Sequence, residues 1–290
     1  MIIDTLKVSD ISKAKKLWKQ AFGDSDLYID FNFETNLDLE NSLAIFEEDQ
    51  LVCMLFMIPK TVIMDNVETQ TYFIAGVSTD NNFRYKGYAK KLMARCHTDL
   101  KAQDIPFVFL FPFNHDFYRK LGYETVNMMK KAQLESSITL GPINATYTFD
   151  VHDISSVKLL SRVSSIYDSY TRKFDGYFKR RLEDFEKTIK TLFIEGGYVM
   201  VISDGVSDVG WIFYYLNGRK VECQQSMFLN EQAAFETARY LRARMYDGFI
   251  YYDTNYKIYN DEIIEYAMVK ILDDQPAVFK DKNILILEQY

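Results

Sequence analysis

The stretch from Gly76 to Leu92, GVSTDNNFRYKGYAKKL, holds the residues best placed to do chemistry. A strand pattern ends at Thr79, a polar loop follows to Lys86, and a helix pattern starts near Tyr88. Gly87 at the joint tolerates positive φ and lets the backbone approach a ligand closely. The amides of residues 84–89 would then converge on an anion at the helix N-terminus, where the dipole also favours negative charge. Arg84, Lys86, Lys90 and Lys91 add cations in a chain that is acidic overall. The same spacing also fits a plain strand–turn–helix joint with a solvated basic face.

Other reactive residues form no comparable pattern. His97, His115 and His152 lack metal-ligand spacing, and Cys53, Cys96 and Cys223 do not complete a set, so no metal is expected. The cysteines are far apart, with no CxxC, which fits a reducing, cytoplasmic setting. No activated Cys or Ser nucleophile is evident. Asp24, Asp26 and Glu34 could hold a cationic ligand, but as helix caps and solvated charges they need no further role. Tyr246, Phe249, Tyr251, Tyr252, Tyr256 and Tyr259 could wall a cleft, yet alternation at Phe249, Tyr251 and Asp253 fits a half-buried strand better. The basic run at 179–181 falls on an expected helix with Glu183, Asp184 and Glu186, a mix typical of a solvated face.

The elements that must position the 76–92 segment follow from periodicity. Residues 2–7 form a strand, 11–22 a helix with apolar residues at helical spacing, and 27–35 a second helix. Strands over 42–47, 51–64 and 69–79 make a β-meander with turns at Asp49-Gln50 and Asp65-Asn66. A helix over 88–102 presents Ala89, Leu92, Met93, Cys96 and Leu100 on one face. Residues 107–111 form a strand buried on both sides, then come a short helix over 116–121 and a strand from Tyr123. Gly141-Pro142 marks a boundary. Beyond it the order is similar: a strand at 147–151, helices at 153–167 and 177–189, strands at 198–202, 209–215 and 221–228, a helix at 231–245 and a strand at 249–253. The expectation is an α+β chain with a divergent internal duplication of about 140 residues, divided into domains 1–135 and 136–290.

Composition narrows the partners. The chain has 290 residues, 26% charged and 48% hydrophobic, long enough for a sizeable core. Its 21 Tyr and 22 Phe argue for thick cores and against disorder. The formal net charge of -7 repels a phosphate backbone, so no nucleic-acid partner is expected, whereas an amine would be attracted. The longest apolar run, 51–59, is about half a bilayer span, so no membrane partner is expected either. The N-terminus shows no signal-peptide pattern.

Arg84-Tyr85-Lys86-Gly87-Tyr88-Ala89 resembles the R/Q-x-x-G-x-G/A signature of the GNAT N-acetyltransferases. About 30 residues later Phe117-Tyr118-Arg119-Lys120-Leu121-Gly122-Tyr123-Glu124 resembles the closing F-Y-x-x-x-G-F/Y motif of that superfamily. The resemblance is specific over 72–124. It implies two tandem GNAT-type domains, each a mixed, mostly antiparallel twisted sheet flanked by helices, and acetyl-CoA as co-substrate. The turn 84–89 would cradle the diphosphate, and Val77, Ser78 and Thr79 would hydrogen-bond the pantetheine arm. Asn114 would hydrogen-bond the pantetheine amides or only cap a helix. Tyr118 occupies the position that protonates the leaving thiolate; otherwise it is one more core aromatic. Ser78 is an alternative acid, and His115 a weaker candidate base.

A signature-bearing domain followed by one without it is similar to the Eis-type acetyltransferases, whose third, sterol-carrier-like domain would here be absent or a stub. In that type the C-terminal carboxylate serves as base, a role that would fall to Tyr290. The segment 228–238, FLNEQAAFETA, has no Gly and no basic pair, so the second domain should not bind coenzyme. It would complete an acceptor cleft or a subunit contact, with a homo-oligomer left open. The resemblance thus implies acetyl transfer to a primary amine by direct attack in a ternary complex. Protein lysine acetylation and a non-catalytic acyl-CoA-binding regulator are the alternatives. A tandem aminoacyl-transferase using charged tRNA shares the topology but predicts a basic surface.

Overall fold

The structure is a computed structural model that describes residues 1–134, 140–244, 247–252, 261–273 and 279–288. In chain order the elements are β1 (Ile2–Asp4), α1 (Ile11–Phe22), α2 (Asp26–Thr35), β2 (Ser42–Glu47), β3 (Gln50–Met64), β4 (Val67–Thr79), α3 (Tyr88–Lys101), β5 (Phe107–Leu110), α4 (His115–Arg119) and β6 (Glu124–Thr125). There follow β7 (Met128–Leu134), β8 (Thr148–His152), α5 (Val157–Thr171), β9 (Gly176–Phe178), α6 (Leu182–Ile194), β10 (Tyr198–Ser203), β11 (Asp208–Asn217) and β12 (Lys220–Phe228). The chain closes with α7 (Glu231–Ala243), β13 (Asp247–Tyr252), β14 (Asp261–Glu265), β15 (Met268–Ile271) and β16 (Ile284–Leu285).

These elements form two units, each built on a mixed, mostly antiparallel sheet flanked by helices. Unit 1 comprises 1–127, 175–179 and 266–290; unit 2 comprises 128–174 and 180–265. In unit 1 the strand order is β1-β2-β3-β4-β5-β15-β6, with β9 pairing β3 and β16. The neighbours β4 and β5 are parallel. On β3, Leu55 and Phe56 point to opposite faces. Leu55 enters the core under α3, with Leu92, Met93 and Cys96. Phe56 joins the rings of Trp18 and Phe33 beneath α1 and α2. In unit 2 the order is β14-β7-β13-β12-β11-β10-β8, and β12 and β13 are again the parallel pair.

Three sequence expectations are corrected. The boundary at 135/136 does not divide the contacts. β7, which follows the strands of unit 1, lies between β13 and β14 of the second sheet, while β15, which follows β14, lies between β5 and β6 of the first. Each unit therefore takes a strand from the other's stretch of sequence. The helix expected over 177–189 is replaced by β9 and α6. Phe178 pairs with Val62 on β3. A Cβ on Gly176 would meet Met64 Sδ at 2.4 Å and Ile284 Cδ1 at 2.6 Å, so a larger residue would require those side chains to shift. α6 starts later, where the Asp184 carboxylate accepts the Arg181 N–H at 2.8 Å. The basic run 179–181 is accordingly not a helix face: Lys179 pairs with Glu68 at 2.5 Å, and the Arg180 guanidinium lies 5.0 Å from the Tyr167 ring centroid. The side chains of the proposed aromatic wall at 246–259 lie outside the described residues.

A ring cluster explains why distant segments join unit 1. Phe109 lies 5.1 Å from Phe178 and 5.6 Å from Phe279, edge to face, and Met268, Leu285 and Ile286 are buried. A fragment ending at residue 135 keeps β7 but lacks β15, which leaves the Phe107–Leu110 edge unpaired. That fragment should show no cooperative thermal transition by circular dichroism, whereas the full chain should. Cooperative melting of the fragment would contradict the unit assignment.

Candidate active site

The site is built around an irregularity in β4. Met54 pairs with Ser78 and Phe56 with Ala75, so Leu55 faces two residues, Gly76 and Val77, across a β-bulge. Gly76 has φ +61°, and a Cβ on it would sit 2.4 Å from a Trp18 ring carbon. Both the conformation and the space demand glycine. The parallel pairing of β4 with β5 ends at Ile74–Leu110, just before the bulge. Residues 75–79 continue without β5, and a cleft of about 740 Å³ opens beside them.

The far end of the cleft is the turn before α3. Asp80 accepts the Asn82 N–H at 2.9 Å and starts the turn. Tyr85 has φ +63° and Gly87 φ +81°, left-handed conformations that aim successive N–H groups into a concavity. Gly87 is the N-cap of α3 and offers no side chain to its first amides, and the N–H of Lys91 is the one that bonds back to Gly87 O. These amides stay available to an anion, with Arg84 and Lys90 in the cleft wall. Lys86 does not line the cleft; its Nζ lies 4.7 Å from the Phe83 ring centroid.

The cleft brings together Val77, Ser78, Thr79, Arg84, Tyr85, Gly87, Tyr88, Ala89 and Asn114 from the sequence-derived set. Asn114 does both of its suggested jobs at once. Its Oδ1 accepts the Phe117 N–H at 2.9 Å and caps α4, while the residue remains part of the cleft wall. Tyr118 is not in that wall. It is 3% exposed and packs edge to face with Phe117 at 5.0 Å and Tyr123 at 5.7 Å. Burial pushes its phenol well above the ordinary range. Tyr290 lies outside the described residues.

Sequence reasoning missed Ala21, Phe22, Phe113 and Phe117, which supply apolar wall. It also missed the bulge, for which a lone glycine inside a strand pattern was the available signal. Of the acidic candidates, Asp24 accepts the Trp18 indole N–H at 2.7 Å and Asp26 pairs with Lys19 at 2.6 Å. Among the described residues no cluster of His, Cys, Asp or Glu could hold a metal, and no helix is long and apolar enough to cross a membrane. In unit 2, α7 begins at Asn230, whose side chain accepts the Ala233 N–H at 2.8 Å. That helix start is closed by its own cap, unlike the start of α3.

Behind Tyr118, Tyr123 is fully buried and shares a hydrogen bond of 2.9 Å with His97 Nε2. Burial first, then the charge of Lys270, push the His97 pKa down to about 4. Between pH 6.5 and 4 the unfolded chain takes up this proton and the folded one does not, so stability falls as pH falls. Wild type should lose up to about 3 kcal/mol through this group on acidification across that window. Urea titrations at several pH values should show a shallower pH slope for His97→Gln; an identical slope would remove the imidazole from the account.

Comparison with known proteins follows the same lines. The family profile for an acetyltransferase (GNAT) domain matches residues 3–126. No curated protein matches the chain. Among solved structures, a conserved protein of unknown function from Enterococcus faecalis, described as a probable N-acyltransferase, is similar at TM-score 0.76 and 16% identity, over 93% of this chain and 72% of that one. A GCN5-related N-acetyltransferase from Anabaena variabilis is similar at TM-score 0.73 and 17% identity, over 94% and 73%. Eis1 from Mycobacterium abscessus is similar at TM-score 0.64 and 14% identity, over 94% and 74%. At these identities the likeness is one of fold.

Proposed function

Because residues 3–126 match the family profile for a GNAT acetyltransferase domain, we propose that the protein transfers an acetyl group from acetyl-CoA to a primary amine on a small molecule, by direct attack within a ternary complex. The observation that carries this reading is the uncapped start of α3, with left-handed Tyr85 and Gly87, at one end of a cleft that the β4 bulge opens. The diphosphate binds the amides and cations of 84–90. The pantetheine arm runs along Thr79, Ser78 and Val77 beside Asn114. The thioester then lies near the bulge, where strand amides freed from β5 polarise its carbonyl. Unit 2, with its self-capped α7, binds no coenzyme. Three buried, unpaired cysteines suit a cytoplasmic enzyme.

Tyr118 acts beside the leaving sulfur. A phenol raised by burial does not readily surrender its proton to a thiolate of ordinary basicity, about pKa 8.5. Its contribution is a hydrogen bond to the charge growing on sulfur, with the proton staying on the phenol.

Isothermal titration with coenzyme A, paired with thiol-release assays on a panel of amines, tests the assignment. Heat on mixing together with thiol release supports it, and no heat defeats it. Heat without turnover on any amine would instead indicate a coenzyme-binding regulator, and turnover confined to peptide lysines a protein acetyltransferase. Arg84→Ala with Lys90→Ala, the two cations in the cleft wall, should raise the dissociation constant of coenzyme A by about 100-fold or more, since each charge-assisted contact is worth roughly 1.5–3 kcal/mol. Tyr118→Phe should lower kcat by about 100-fold and leave coenzyme affinity unchanged. In wild type, kcat should show no downturn from this phenol up to about pH 10; an unchanged kcat in Tyr118→Phe would remove it from the mechanism.

A further inference from the structure

Ser78 carries a group that the coenzyme reading leaves unused. The residue lines the cleft and is 4% exposed. Its Oγ is shielded from solvent and has no hydrogen-bond partner among the described residues. Its neighbours face the other way: Thr79 Oγ1 donates to Cys53 Sγ at 3.3 Å, and Val77 packs on the core under α3. Ser78 pairs with Met54, two residues from Phe56, so its side chain lies on the Trp18 face of the sheet. There Ala21 and Phe22, the last residues of α1, wall the cleft. A buried hydroxyl without a partner has lost its water and gained nothing in return, whereas alanine would pack at no such cost.

The cleft gives this hydroxyl a use. β4 runs from the bulge to the basic turn, so a coenzyme held by its diphosphate at 84–90 sends its acyl end back along the strand, toward Gly76. Resting on the coenzyme assignment above, we propose that Ser78 Oγ donates a hydrogen bond to the carbonyl oxygen of the bound acetyl thioester. As the amine nitrogen forms its bond to the carbonyl carbon, the π pair moves onto that oxygen. Ser78 and the strand amides share the charge until the pair returns and the C–S bond breaks, and the departing thiolate takes up the proton that the attacking nitrogen sheds. The serine keeps its proton throughout. Ser78 is thus a catalytic residue acting as a hydrogen-bond donor, distinct from the main-chain role of 77–79.

The test needs no knowledge of the acceptor. Two coenzyme analogues are titrated calorimetrically: a ketone in which a methylene replaces the sulfur, and the same chain with the carbonyl reduced to a methylene. Wild type should bind the ketone about 3–10-fold more tightly. Ser78→Ala should lose most of that preference, the strand amides keeping the remainder, hold its affinity for the carbonyl-free analogue, and melt no lower than wild type. With any amine accepted in the thiol-release panel, kcat of Ser78→Ala should fall about 10–100-fold. If neither analogue binds wild type, the coenzyme assignment itself fails. If both bind and Ser78→Ala retains the ketone preference, only the role of Ser78 is overturned. Equal weakening of both analogues with a lower melting temperature would assign the hydroxyl to packing and overturn it as well.

Discussion

The extra residue in β4 is the constraint on which the first unit depends. A regular β4 would stay paired with β5 along its length, and the sheet would be closed where the cleft now lies. Opposing Leu55 with both Gly76 and Val77 ends that pairing and resets the face of every later residue. Ser78 consequently faces α1, and Thr79 faces the core under α3. The irregularity is held from outside by Trp18, whose ring leaves no room for a side chain on Gly76 and whose indole N–H is fixed by Asp24. Fold and site therefore share one determinant: the packing of α1 on the strand sets the geometry of the opening.

Electrostatics completes the site. In a chain of net charge -7, the segment 84–91 concentrates Arg84, Lys86, Lys90 and Lys91 around a helix start without a side-chain cap. The corresponding helix of unit 2 shows the alternative. There Asn230 satisfies the first turn internally and Glu231 opposes an anion. A serine, threonine or asparagine at the N-cap would stabilise α3 in the same way. Gly87 forgoes that stabilisation and leaves the first amides without a side-chain cap.

The sequence made local structure legible where a backbone need selects a residue type. Gly87, the basic run and the 3.6-residue periodicity of Leu92, Met93, Cys96 and Leu100 located the turn and α3. The tandem order of elements and the parallel pairs β4/β5 and β12/β13 agree. The partners of each strand were less legible. β7 and β15 carry no mark of which sheet they join, because the choice rests on pairing across more than a hundred residues. The helix expected over 177–189 takes in residues 177 and 178, which instead end β9. The adjacent Gly176 was a signal against it, a position where Met64 and Ile284 crowd the space of a Cβ. The spacing that singles out Tyr118 does not show that it lies behind the cleft wall, because its burial depends on Phe113, Phe117 and Tyr123.

The exchanged strand also bears on where Tyr118 sits. β15 pairs with β5 and β6, and from it Lys270 donates to the carbonyl of Leu121 at 2.7 Å, in the turn that follows α4. The adjacent Gly122 leaves room for that amine, since a Cβ there would stand 2.6 Å from Lys270 Nζ. α4 is only five residues long and cannot hold its own orientation. It is fixed at its start by the Asn114 cap, at its end by Lys270, and along one side by the aromatic stack. Two of these anchors come from the segment that bears the phenol. The third comes from residues near the other end of the chain, so the position of Tyr118 behind Phe113 and Phe117 is set only when the late strand has entered the first sheet.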